Sequence, residues 1–240
     1  MSKKLKKSIF RKVRNANLKY QLIEDGDIVA VGLSGGKDST ILLYFLFLLK
    51  KYTPLNFSIV PVYLDLGWEN DIGELEVFCQ SLGLTLITEE THIGYIVFEA
   101  RQEKNPCSLC SNMRRGALNR VAKAHGCNKV ALGHHLDDAV DTLFMSILFE
   151  SRYHLFKPRT YLDRMDLTVI RPLIYVEEKE IKAMVSILDI TPVKNLCPAD
   201  GYTKRDEIKI LLGDIEAKYP GARKNFLSSI ENVDAGSFWS

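Results

Sequence analysis

Val31-Gly32-Leu33-Ser34-Gly35-Gly36-Lys37-Asp38-Ser39 joins two apolar runs, one over Asp27–Leu33 and one over Ile41–Leu49. The first is short enough for a buried strand, and the second reads as a buried helix, far too short to span a bilayer. Between them, two adjacent glycines let the backbone approach an anion closely. The helix start adds free N–H groups and a partial positive charge. Ser34 and Ser39 add hydroxyls, and Lys37 adds a full charge. Only three residues separate Gly32 from Gly36, and Asp38 rather than Ser or Thr follows Lys37, so this is not a Walker A loop. Asp38 would repel a bare phosphate unless Mg²⁺ sat between them. The combination points to ATP held at its pyrophosphate and attacked at the α-phosphorus.

Outward from this segment the chain alternates strands and helices. Strands are expected at 27–33, 56–66, 85–89, 129–133 and 167–171. Helices are expected at 3–22, 37–50, 72–82, 112–125, 136–149, 177–188, 203–218 and 222–233. Such alternation implies an α/β fold, a parallel sheet covered by helices on both faces, with ligands at the carboxyl ends of its strands. The expected organisation is a basic N-terminal helix (1–20), an ATP-binding α/β domain (21–165) and a C-terminal helical extension (166–240). Segments 106–110 and 154–164 read as loops.

The chain has 240 residues, 46% hydrophobic and 26% charged, enough for one sizeable core. Its net charge of +2 conceals an asymmetry: residues 1–20 hold eight Lys/Arg and no acid, leaving −6 for the rest. A basic arm on an acidic body suits a polyanion touched at one edge, and equally a solvated helix. Lys3, Lys4, Lys6, Lys7, Arg11, Lys12 and Arg14 form one candidate phosphate patch; Lys157, Arg159 and Arg164 form another. The five cysteines are an odd number, and no apolar h-region follows Lys3–Lys7. A reducing, cytoplasmic setting is expected, with free or metal-bound thiols.

Cys107 and Cys110 make a C-x-x-C hairpin, and Cys197 lies far downstream. Zinc would want a fourth ligand, for which His125, Cys127, His134 and His135 are available. Three thiolates with one open iron position better suit a catalytic cluster. Cys79 and Cys127 read as core residues. Asp65, ending the second strand, is placed to meet a nucleotide or to cap a helix. Asp137 and Asp138 open a helix, where they complement its dipole or bind Mg²⁺ or handle a proton.

Ser34-Gly35-Gly36-Lys37-Asp38-Ser39 resembles the signature of the PP-loop ATP pyrophosphatases. Three further stretches resemble the tRNA 2-thiocytidine synthetase (TtcA) family, in consistent order. They are Pro106-Cys107-Ser108-Leu109-Cys110-Ser111-Asn112-Met113-Arg114-Arg115-Gly116, Ala131-Leu132-Gly133-His134-His135-Leu136-Asp137-Asp138 and Asn195-Leu196-Cys197. Lys194 stands where some members carry a cysteine paired with the equivalent of Cys197. The resemblance implies a cytoplasmic tRNA sulfurtransferase that adenylates O2 of cytidine 32 and replaces it with sulfur. It implies a 4Fe-4S cluster on Cys107, Cys110 and Cys197, with ATP and Mg²⁺ as the other cofactors. Ser34, Gly35, Gly36, Lys37, Ser39 and Asp65 would hold the nucleotide. Asp38, Arg114, Asp137 and Asp138 would act at the reacting centre. The partners expected are tRNA, a sulfur donor such as a cysteine desulfurase and a second copy of the chain, with no membrane. The rival readings are a PP-loop ligase, a thiolase acting on another base, a non-catalytic metal-binding RNA adaptor and a desulfidase.

Overall fold

The computed structural model describes residues 2–68, 70–101, 106–194, 196–198, 204–234 and 236. Asn195 and Thr203, which figured in the motif and helix readings above, lie outside the described residues.

Helix α1 (Ser2–Tyr20) leads into β1 (Ile28–Leu33), and the glycine turn opens α2 (Lys37–Tyr52). The chain continues through β2 (Ser58–Asp65), α3 (Gly73–Ser81) and β3 (Ile87–Glu90). A short turn α4 (Ile93–Tyr95) runs into a π-helical stretch, Ile96–Ala100. Then follow α5 (Pro106–Ala124), β4 (Lys129–Ala131), α6 (Leu136–Glu150), β5 (Arg159–Leu162) and β6 (Leu167–Ile170). Helices α7 (Glu178–Leu188), α8 (Lys204–Lys218) and α9 (Ala222–Glu231) complete the described structure.

The six strands lie in the order β3-β2-β1-β4-β6-β5. All neighbours are parallel except β5, which pairs antiparallel with β6. The basic stretch expected as a loop therefore supplies an edge strand, and the sheet continues to Ile170, past residue 165. An edge strand needs only one ladder, so Arg159-Thr160-Tyr161-Leu162 can alternate exposed and half-buried positions.

Strand alternation divides the core. Val29, Val31 and Leu33 of β1 join the cluster built around α2, while Ala30 points to the other face with Leu118, Val121 and Ala122 of α5. Ten side chains of α2 are buried, so this helix is covered on both sides, by the sheet and by α1 and α7. Cys79 and Cys127 are buried, as expected of core residues. Leu18, read as part of the apolar stripe of α1, is instead 70% exposed. Ala16 and Asn17 face inward, and Asn17 ties the backbone of Ile23 through both its amide atoms.

Candidate active site

The glycine turn braces itself. Ser39 Oγ donates to Gly36 O (3.0 Å) and accepts from Ser34 N (3.2 Å), and Thr40 Oγ1 also donates to Gly36 O (3.1 Å). No side chain caps α2 at Gly36, so its first N–H groups face outward from a rigid turn, the arrangement that receives an anion. Gly35 has φ of +74°, and a Cβ there would lie 2.5 Å from Val193. Val193 N–H also donates to Gly35 O (2.9 Å), which latches the segment leading to Cys197 onto the turn.

Lys37 bridges two carboxylates, Asp38 Oδ2 at 3.0 Å and Glu178 Oε1 at 3.1 Å. Burial works against its charge, but these carboxylates outweigh it and raise its pKa. Burial likewise opposes ionisation of Glu178, yet Lys37 and Lys182 bring it down to about 2. The other oxygen of Asp38, Oδ1, is buried without a hydrogen-bond donor and lies 3.6 Å from His135 Nε2. A carboxylate oxygen left in that state, beside an anion cradle, fits a Mg²⁺ position.

The carboxyl end of β4 presses against this turn. A Cβ on Gly133 would lie 3.0 Å from backbone atoms of Asp38 and Ser39. His135 caps α6: its Nδ1 accepts from Asp138 N (3.4 Å), while Asp138 Oδ2 accepts from His135 N (3.0 Å). Asp137 accepts from the backbone N–H of Glu178 (2.7 Å) and faces Arg223 at 3.5 Å. Asp137 therefore joins α6 to α7 and α9, while Asp138 closes the start of α6. Asp65 Oδ1 accepts from Gly67 N–H (2.8 Å), shaping the turn after β2.

The C-x-x-C is helical rather than a hairpin loop. Helix α5 starts at Pro106, whose fixed φ suits a first helical position, so Cys107 and Cys110 lie one turn apart on one helix. Cys110 is buried, Cys107 exposed and Cys197 in between. Burial raises the Cys110 thiol; Arg114 opposes this, and Cys197 and Cys107 add to it, which places the three sulfurs in one electrostatic neighbourhood. Among the described residues no three His, Cys, Asp or Glu side chains stand close enough together to hold a metal. Leu66, Ile93, Val97 and Ala117 bury Cys110, with Trp68, Phe98 and Met113 packed around them. Ile93, Val97 and Phe98 of this apolar wall come from the segment after β3, for which the sequence reading had no element. Only Cys110 is shielded by this wall; as a donor set, three soft thiols in one electrostatic neighbourhood have the chemistry an iron–sulfur cluster takes.

Arg114 and Arg115 are exposed on α5. Arg115 repels Arg171, the residue after β6, whose pKa burial and this repulsion lower to about 10. Arg171 and Glu178 were missed as site residues. Their signal was positional, since both follow closely on the last sheet strand, at the edge where a parallel sheet binds ligands. Lys12, assigned to the first phosphate patch, is instead committed to Glu180 (2.5 Å) and Glu177 (3.6 Å). Lys3, Lys4, Lys7, Arg11 and Arg14 of that patch are exposed.

Residues 5–209 match the PP-loop domain family. The tRNA-cytidine(32) 2-sulfurtransferase of Sorangium cellulosum is 36% identical over 234 residues, covering 95% of this chain and 82% of its own length. That of Geobacter metallireducens is 36% identical over 232 residues, covering 93% and 90%. That of Ralstonia nicotianae is 38% identical over 219 residues, covering 89% and 70%. Among solved structures, the U34-tRNA thiolase NcsA from Methanococcus maripaludis, with its [4Fe-4S] cluster, superposes with a TM-score of 0.77. It is 26% identical and covers 95% of this chain and 78% of its own. The anion-cradling turn, the three neighbouring thiols and these likenesses agree: the chain belongs to the PP-loop family, and within it to the tRNA-cytidine(32) 2-sulfurtransferases.

Proposed function

We propose that this tRNA-thiolating enzyme uses ATP to adenylate O2 of cytidine 32 and then exchanges that oxygen for sulfur. One observation carries the reading: the anion cradle at Ser34–Ser39 and the thiols of Cys107, Cys110 and Cys197 share the carboxyl edge of one sheet.

Cytosine O2 is a poor leaving group. In the first step O2 bonds to the α-phosphorus of ATP and pyrophosphate leaves, its charge held by the N–H groups of the turn, Ser34 and Lys37. Asp38 would hold Mg²⁺ through the oxygen that has no other partner. Asp137 and Asp138 orient the start of α6 against the turn, with Asp138 close enough to His135 to influence a proton there (3.4 Å). In the second step a sulfur–C2 bond forms, the C2–O2 bond breaks, and AMP departs with O2. Arg114, beside Cys110, favours the thiolate and the negative charge that develops on the departing group. The cluster, when bound by Cys107, Cys110 and Cys197, supplies an open iron position for the incoming sulfur. The sulfur itself would come from a donor such as a cysteine desulfurase.

The test is reconstituted thiolation of the tRNA, read as AMP, pyrophosphate and thionucleoside. One AMP per sulfur inserted supports the reading. AMP released with no sulfur in the RNA would move the chain to ligase chemistry.

A further inference from the structure

His134 occupies the point where the sheet order diverges, with β2 and β3 on one side of β1 and β4 and β6 on the other. In parallel sheets such a point opens a crevice at the carboxyl ends of the strands. Its neighbour Gly133 lies against the backbone of Asp38, and Arg171 on its other side feels the charge of Arg115 on the cysteine helix. His134 thus adjoins the adenylating turn through Gly133 and, through Arg171, comes within the charge of the helix that carries Cys107 and Cys110.

Arg171 fixes the imidazole. Its Nε donates to His134 Nδ1 (3.2 Å), and its NH1 group donates to the carbonyl of Lys157 (2.6 Å). Phe156 stacks on both: its ring centroid is 4.8 Å from the guanidinium and 4.9 Å from the imidazole centroid, with 33° between the two rings. A guanidinium has donors only, so Nδ1 must offer a lone pair. Burial, reinforced by Arg171, lowers the His134 pKa to about 4, leaving the ring neutral at physiological pH. Its one proton is then on Nε2. No acceptor among the described residues meets that N–H, and Nε2 is not among the sealed, unpartnered polar atoms.

We infer that His134, locked as its Nε2–H tautomer by Arg171 and Phe156, donates to ring N3 of the target pyrimidine and thereby selects cytosine over uracil. Cytosine N3 is an acceptor, whereas uracil N3 carries a hydrogen and would set two donors face to face. Phe156 and Arg171 are positioning residues. The inference rests on the proposed reaction at a pyrimidine 2-oxo group.

The experiment uses the full chain with its cluster and a non-hydrolysable ATP analogue. Three anticodon stem-loop RNAs carry cytidine, uridine or 3-deazacytidine at the target position, and their affinities are compared by fluorescence anisotropy. Wild type is expected to bind the cytidine RNA about tenfold or more tightly than the other two, the cost of one unmade buried hydrogen bond. His134→Ala should bind all three alike with its ATP affinity intact. Arg171→Met, which frees the tautomer, should narrow the preference. Equal wild-type binding of cytidine and 3-deazacytidine, or an undiminished 3-deaza penalty in His134→Ala, would overturn the inference. The wild-type comparison stands even where a variant fails to fold. Wild type that selects cytidine by binding but makes no thionucleoside sinks the proposed reaction and keeps the inference; thiolation without a 3-deaza penalty does the reverse.

Discussion

At Asp38 a buried carboxylate oxygen goes without a donor while its twin holds Lys37. Asp38→Asn keeps the size of the side chain but weakens any hold on Mg²⁺. It should lower the rate of ATP-dependent pyrophosphate release by about a hundredfold or more, as loss of one key electrostatic partner does in other active sites. Steady-state pyrophosphate assays across a Mg²⁺ titration would measure this; an unchanged Mg²⁺ dependence would remove Asp38 from the metal role. A second consequence concerns Glu177, where burial opposes ionisation but Lys179, Lys224 and Lys12 bring the pKa from 4.5 to about 2. Because the folded value lies below the unfolded one, the stabilisation is complete above about pH 4.5 and is lost as pH falls towards 2. Glu177→Gln should therefore lower the urea midpoint at pH 7, by a gap that narrows at pH 3.5. A gap independent of pH would mean that packing rather than charge holds these helices.

Helix α2 and the turn before it were legible because an apolar strand, two glycines and an apolar helix declare themselves locally. The start of α5 was not. Cys107, Ser108, Ser111 and Asn112 are indifferent helix formers, so local preference favoured a loop, whereas Pro106 and the apolar wall behind Cys110 support a helix. Strand β5 was hidden for a related reason, since an edge strand of four residues carries too little pattern to recognise. The latch between Val193 and Gly35 is a tertiary contact with no local signature at all. Its consequence is testable. Gly35→Ala would force both a left-handed alanine and a collision with Val193, destabilising the fold by about 1–3 kcal/mol. It should also weaken ATP binding. Gly35→Ala with unchanged urea midpoint and ATP affinity would show that the latch carries no strain.

Across the whole molecule, the expected α/β architecture and the two covered faces of the sheet were present in the alternation of strands and helices. What stayed hidden was how charges are shared out between elements. Lys12 counted as part of a basic arm in the sequence, yet in the fold it serves α7, and Glu178 reaches back to Lys37 across 141 positions of chain. Four of the exposed basic side chains of α1, Lys3, Lys4, Lys7 and Arg11, are available to RNA phosphates. Reversing these four to Glu should weaken tRNA binding across all sequences. It should also flatten the salt dependence by a slope of about 0.7–0.9 for each phosphate no longer neutralised. An unchanged slope would place the tRNA on another face. No helix among the described residues is long and apolar enough to cross a membrane.

The most direct measurement is mass spectrometry of tRNA nucleosides from cells with and without this gene, complemented by wild type, Cys107→Ala or Asp38→Ala. The account predicts that 2-thiocytidine disappears on deletion and returns only with wild type. Unchanged 2-thiocytidine in the deletion strain, or its return with Cys107→Ala, would contradict it.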